Sequence, residues 1–86
     1  MNDVNQWIKT YLKPIKTINR QWHSYGLKHM CERMIGRYVS EAEMKEAMIK
    51  EGYISHKKDK YPWHFNISNK NMENIYLFSL GERSSL

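Results

Sequence analysis

The chain has a single cysteine, Cys31, so an internal disulfide framework is excluded and a reducing compartment fits. Two prolines and four glycines among 86 residues leave no Pro- or Gly-rich low-complexity segment. No apolar run approaches the roughly 18 residues of a membrane span. The opening MNDVNQW carries no signal-peptide core. The expected location is therefore the cytoplasm, with no membrane contact. Metal-ligand spacing is also missing. His23 and His29 stand six apart and His56 and His64 eight apart, with neither a helical i, i+4 pair nor a CxxC knuckle. His29 with Glu32 or Glu46, and Cys31 as nucleophile, lack a third orienting group, and there is no Gly-rich phosphate loop. No catalytic residue, metal or cofactor is expected, and the chain is read as a non-enzymatic binding protein.

What is present is a small core and a basic charge. Apolar residues make up 41% of the chain, with three Trp, six Tyr and six Met, enough for one domain over residues 1–86. The formal charge is +5, unevenly spread. Between residues 9 and 37, Glu32 is the one carboxylate among Lys9, Lys13, Lys16, Arg20, Lys28, Arg33 and Arg37. Residues 41–51 reverse the sign through Glu41, Glu43, Glu46 and Glu51. Lys57, Lys58 and Lys60 restore it. Such a balance attracts polyanions, nucleic acid above all. Asn, Lys, Ile and Tyr supply 31 of the 86 residues; their AT-rich codons suggest a low-GC bacterium or its phage as source.

Apolar spacing predicts the elements. Val4, Trp7, Ile8, Tyr11 and Leu12 form one helical stripe behind Asp3, and Pro14 should stop it near Leu12. Ser24 reads as the N-cap of a second helix, with Leu27, Met30, Cys31, Met34 and Ile35 inward and Gly36 ending it. Ser40 and Glu43 form a capping box for a third helix, closed by Gly52 with Tyr53 folding back on Met48. Residues 53–56 and 63–68 read as a hairpin, because Trp63, Phe65 and Ile67 alternate with His64, Asn66 and Ser68. Met72, Ile75, Tyr76 and Leu80 suggest a C-terminal helix ended by Gly81, and the segment 69–86 is a candidate for pairing two chains as a homodimer.

Three helices followed by a hairpin resemble the winged helix-turn-helix over residues 3–68. The expected fold class is thus α+β, a winged-helix domain with a hairpin wing and a C-terminal helix or tail. Ser24-Tyr-Gly-Leu-Lys-His29, Gly36-Arg-Tyr-Val-Ser40, Ala47-Met48 and Gly52-Tyr53 also look like short phage and mobile-element proteins of low-GC bacteria. The resemblance implies a phage-encoded regulator that binds DNA. The third helix departs from that pattern, since four Glu would face the phosphates and no Arg or Asn–Gln pair suits base edges. Nucleic-acid contact is accordingly expected through Lys16, Arg20, Lys28, Arg33 and Arg37, with Lys57, Lys58 and Lys60 on the wing. The alternative is a protein-binding, anti-CRISPR-like inhibitor of a host defence nuclease, meeting a host nucleic-acid-binding complex through Glu41, Glu43, Glu46 and Glu51.

Overall fold

A computed structural model of the chain describes residues 3–55, 62–70 and 72–81. Among these residues there are four helices, α1 Asp3–Tyr11, α2 Ser24–Ile35, α3 Glu41–Lys50 and α4 Met72–Ser79, and no strand. No helix is long and apolar enough to cross a membrane.

The helix ends follow local chemistry. In α1 the stripe Val4, Trp7 and Ile8 is buried, Leu12 follows it inward, and the helix stops at Tyr11, ahead of Pro14. Helix α3 starts where Ser40 Oγ accepts the Glu43 N–H at 3.0 Å. It ends in a Schellman arrangement: the Tyr53 N–H donates to Met48 O and the Gly52 N–H to Ile49 O, both at 3.0 Å. Gly52 takes φ +91°, a left-handed conformation that few other residues adopt without strain. Gly36 ends α2 in the same way, with φ +83°.

The start of α2 differs from the sequence expectation. His23, one residue earlier than Ser24, is the cap, and its Nδ1 accepts the Gly26 N–H at 3.2 Å. Ser24 is instead a fully buried tether. Its hydroxyl donates to Glu41 Oε2 of α3 at 2.8 Å and accepts the Trp63 N–H at 2.9 Å.

The α+β, winged-helix expectation is overturned, because no hairpin exists among the described residues. The segment 63–68 is kinked at Asn66, where the Ile67 N–H donates to Phe65 O at 2.9 Å, and it lies chiefly against the α1–α2 connection, with one backbone bond from the Asn66 N–H to Ile54 O at 3.2 Å. The Ser24 N–H donates to Trp63 O, Asn19 N–H to Phe65 O, Ile15 N–H to Asn66 O, and Ser68 N–H to Lys13 O. These contacts leave isolated bridges at Pro14–Ile67 and His23–His64, with no ladder. Two causes are visible. Pro14 has no N–H to offer a strand, and asparagine side chains take the places of backbone partners. Buried Asn66 accepts the Ile54 N–H on Oδ1 at 2.7 Å and donates from Nδ2 to Ile15 O at 2.8 Å. Period-2 alternation was a sound sign that Phe65 and Ile67 are buried, and both are fully so. Each contributes roughly 2 kcal/mol by the usual transfer scale. What alternation did not carry was the identity of the pairing segment.

One buried cluster holds the fold: Val4, Trp7, Ile8 and Leu12 of the first helical segment, Leu27, Met30 and Cys31 of α2, Met44 and Met48 of α3, and Phe65, Ile67, Met72 and Ile75. Tyr76, Leu77 and Phe78, in the segment read as a pairing surface, are partly exposed on α4.

A candidate nucleic-acid interface

Of the eight cations expected to contact nucleic acid five are described, and two of these, Lys28 and Arg37, are bound to carboxylates of the chain itself. Lys28 is buried within the α2 surface. Its Nζ lies 3.0 Å from Glu32 Oε1, 4.4 Å from the Tyr38 ring centre and 5.9 Å from that of Tyr25. Arg37 is clamped on two carboxylates, at 2.7 and 3.0 Å from Asp3 and at 2.8 and 3.3 Å from Glu43, and it also donates to Tyr38 O. Both are spent inside the chain. Arg33 is exposed on α2 and has no ion pair among the described residues. Lys57, Lys58 and Lys60 lie outside the described residues.

The carboxylates of the alternative surface are mostly engaged too. Glu41 accepts from Ser24 and lies 3.9 Å from Lys45. Glu43 holds Arg37. Glu51 accepts from Asn5 Nδ2 at 2.9 Å and lies 4.0 Å from Lys9. Glu46 is exposed.

Glu32 organises the α2–α3 side. It takes the Val39 N–H at 3.1 Å, Lys28 at 3.0 Å and His29 Nδ1 at 3.1 Å. The Val39 N–H first, then Lys28 and His29, hold its carboxyl below the ordinary value of 4.5 against the desolvation that opposes them. Asp3 is lowered in the same sense by its hydrogen bond from Arg37, whose own value is raised by Asp3 and Glu43. Cys31 is buried, and loss of solvent pushes its thiol up to about 12, a state poor for nucleophilic work. Among the described residues, no three His, Cys, Asp or Glu side chains converge where a metal ion would be held.

Other exposed cations stand on the connection between α1 and α2. The connection from residue 13 to residue 20 is held along the segment 65–69. Pro14 bridges to Ile67 at its start, and near its end Asn19 Nδ2 donates to Ile67 O at 2.9 Å and to Asn69 Oδ1 at 3.2 Å. The Trp22 Nε1–H donates to Asn69 Oδ1 at 2.9 Å and Asn69 Nδ2 to Gln21 Oε1 at 2.9 Å, closing the loop base with neutral amides. Exposed on this frame are Lys13, Lys16, Arg20 and Lys70. Lys13 and Lys70 line one cleft of about 490 Å³ together with Thr10, Tyr11, Ile15 and Ser68, and no carboxylate lines it. Lys13, Lys16 and Lys70 have no ion pair among the described residues.

The described loop thus presents exposed cations from the basic run, Lys13, Lys16 and Arg20, together with Lys70. Lys16 and Arg20 were legible from the basic run. Lys13 stood in that run but was not singled out, and Lys70 had no sequence signal, since only the fold brings residues 67–70 against the connection. Compared with protein-family profiles, curated proteins and solved structures, the chain matches none.

Proposed function

We propose that this chain is a non-enzymatic nucleic-acid-binding protein whose phosphate-contacting surface is the 13–20 loop with Lys70. The observation that carries this reading is a cleft lined by Lys13 and Lys70 and by no carboxylate, on a braced loop whose Lys16 and Arg20 are also exposed, while Lys28 and Arg37 are neutralised within the fold. A fixed array of ammonium and guanidinium groups displaces condensed counterions from a phosphate backbone, and that release drives association. The amides of Asn19, Gln21 and Asn69 hold the loop base to one another and leave phosphate contact to the cations.

The test is a fluorescence-anisotropy titration of labelled DNA across a salt series. Four phosphate contacts give a slope of log affinity against log salt of about −3.6 on duplex and about −2.8 on a single strand. Lys13→Glu combined with Lys16→Glu should make that slope shallower by roughly half and weaken binding at least tenfold. An Arg37→Met variant should leave the slope alone. No binding at about 50 mM salt, or binding indifferent to salt and to the loop reversals, overturns the assignment.

A further inference from the structure

Two tyrosines on the α2–α3 side stand out for being both exposed and fixed. Tyr38 is 70% exposed and Tyr25 is 49% exposed. An exposed tyrosine normally gains little from order, yet both rings rest on buried charge. The Lys28 ammonium, itself nearly inaccessible, sits 4.4 Å from the Tyr38 ring centre, so it lies on the inner side and leaves the outer face of the ring to solvent. The backbone of Tyr38 is held on both sides. Arg37 donates to its carbonyl at 2.8 Å, and the next residue, Val39, is buried and donates its N–H to Glu32. Tyr25 packs perpendicular to His29, ring centres 4.5 Å apart, and Lys28 reaches it from 5.9 Å. His29 is in turn oriented by Glu32 at 3.1 Å.

One ion-pair network, Lys28 with Glu32, therefore braces two exposed tyrosine rings. Arg33 extends the same side of α2, because Tyr25, His29 and Arg33 follow at i, i+4 and i+8. It is exposed, with no ion pair among the described residues. Pre-positioned aromatic faces beside an available guanidinium are what unpaired bases use: the base stacks, and the cation takes the phosphate. Bases inside a duplex already stack on one another and cannot reach such rings.

We propose that Tyr25 and Tyr38 form a stacking platform for the bases of a single-stranded nucleic acid, with Arg33 contacting its backbone. This rests on the phosphate-binding role of the 13–20 loop and specifies the ligand of that surface. The two regions lie within reach of one strand. Arg20 and Tyr25 are five residues apart, at most about 17 Å of extended chain, a span of about five nucleotides at roughly 3.4 Å each.

The experiment compares a labelled single strand of about 15 nucleotides, within the usual site sizes, with the duplex of the same length. Full-length wild type, Tyr25→Leu, Tyr38→Leu and Tyr38→Phe are titrated at several salt concentrations, with melting curves recorded alongside. Each leucine variant should weaken single-strand binding between about fivefold and a hundredfold. It should change duplex binding less than about threefold and leave the salt slope unaltered, since stacking releases no counterion. Tyr38→Phe keeps the ring and should bind as wild type. A single strand carrying 5-bromouracil, irradiated on the wild-type protein, should crosslink to Tyr25 or Tyr38. Unchanged single-strand affinity in both leucine variants, or crosslinks confined to the 13–20 loop, overturns the platform. If Lys13→Glu with Lys16→Glu still abolishes binding in that case, the loop assignment stands and only the ligand class falls. Equal affinity of wild type for both forms likewise overturns the platform. No binding of either form removes the platform and the loop assignment together.

Discussion

Replacing Ser24 by alanine removes one oxygen from the point where α2, α3 and the segment 63–68 meet. As an N-cap, which its place in the sequence suggests, Ser24 would be worth about 1 kcal/mol. Its observed position calls for more. The hydroxyl donates to the Glu41 carboxylate at 2.8 Å, a charge-assisted bond of the kind worth about 1.5–3 kcal/mol. It also accepts the N–H of half-buried Trp63 at 2.9 Å, beside a fully buried Ser24. Leaving a buried N–H unsatisfied costs about 1–3 kcal/mol. Two effects act the other way: Glu41 is partly exposed, so water recovers some of its loss, and alanine is the better helix former by up to about 0.5 kcal/mol. The net expectation for Ser24→Ala is a loss of about 3 kcal/mol.

In a domain of this size about 1 kcal/mol moves the melting midpoint by roughly 4–8 °C, so the variant should melt about 12–24 °C below wild type. Urea denaturation followed by tryptophan fluorescence gives the free energy directly, and its unchanged m-value would show that the same surface is exposed on unfolding. His23→Ala is the matched control, because His23 is the residue that caps α2; it should cost about 1 kcal/mol. A Ser24→Ala loss no larger than that of His23→Ala refutes the tether and restores the helix cap as the whole of Ser24's contribution.

Asn66→Ala should lower stability by about 2–3 kcal/mol, since it frees the Ile54 N–H and the Ile15 carbonyl at once; a shift under about 0.5 kcal/mol in urea denaturation contradicts that. The same variant, if folded at low temperature, should also bind nucleic acid more weakly, because Ile15 lies within the loop that presents Lys13 and Lys16. Glu32 and Asp3 are both held below their ordinary values of 4.5 and 3.8. The stabilisation they add is thus complete above about pH 5 and is lost as the pH falls through the folded-state values. Glu32→Gln should flatten this acid limb in melting curves taken from pH 6 to pH 3, and an unchanged limb refutes the assignment. Cys31, raised to about 12 and buried, should resist a thiol reagent in the native protein and react fully in urea; rapid native labelling contradicts its burial.

Helix ends and buried stripes were legible from the chain because they are local properties. Ser40 and Gly52 act through near neighbours, and the structure shows the Ser40 cap and the Gly52 stop, while the Glu43 half of the capping box goes to Arg37 instead. The C-terminal helix was legible for the same reason, from Met72 and Ile75 inward to Gly81. The hairpin was not legible. Burial of Phe65 and Ile67 says nothing about which segment meets their backbone, and here Asn19 and Asn66 decide that over separations of 48 and 51 residues. The candidate site divides along the same line. Lys16 and Arg20 belong to a run of like charge that a count reveals. Lys28 and Arg37 belong to it equally, and nothing in their spacing tells that they have partners. Arg37 meets Asp3 at a separation of 34 residues, and Lys28 is enclosed by Tyr38 once the α2–α3 turn is made.

That division explains how a basic chain can have a neutral side. A cation adds to the external field only when the fold leaves it without a carboxylate. On the α2–α3 side Glu32, Asp3 and Glu43 meet Lys28 and Arg37 at hydrogen-bond distance. The charges there work on the protein itself, fixing the turn from α2 to α3 and the rings that stand on it. The 13–20 loop is built the other way. Its frame is tied by the backbone and by the neutral amides of Asn19, Asn66 and Asn69, and its lysines Lys13 and Lys16 have no ion pair among the described residues. Substituting a lysine on the loop should therefore change what the protein binds and hardly how stably it folds, whereas substituting Lys28 should do the reverse. Lys16→Ala and Lys28→Met, each measured for melting midpoint and for salt slope, put that separation to the test. Lys16→Ala should lose slope at constant midpoint, and Lys28→Met should lose midpoint at constant slope. If both variants move both quantities, the charges do not divide as the contacts indicate.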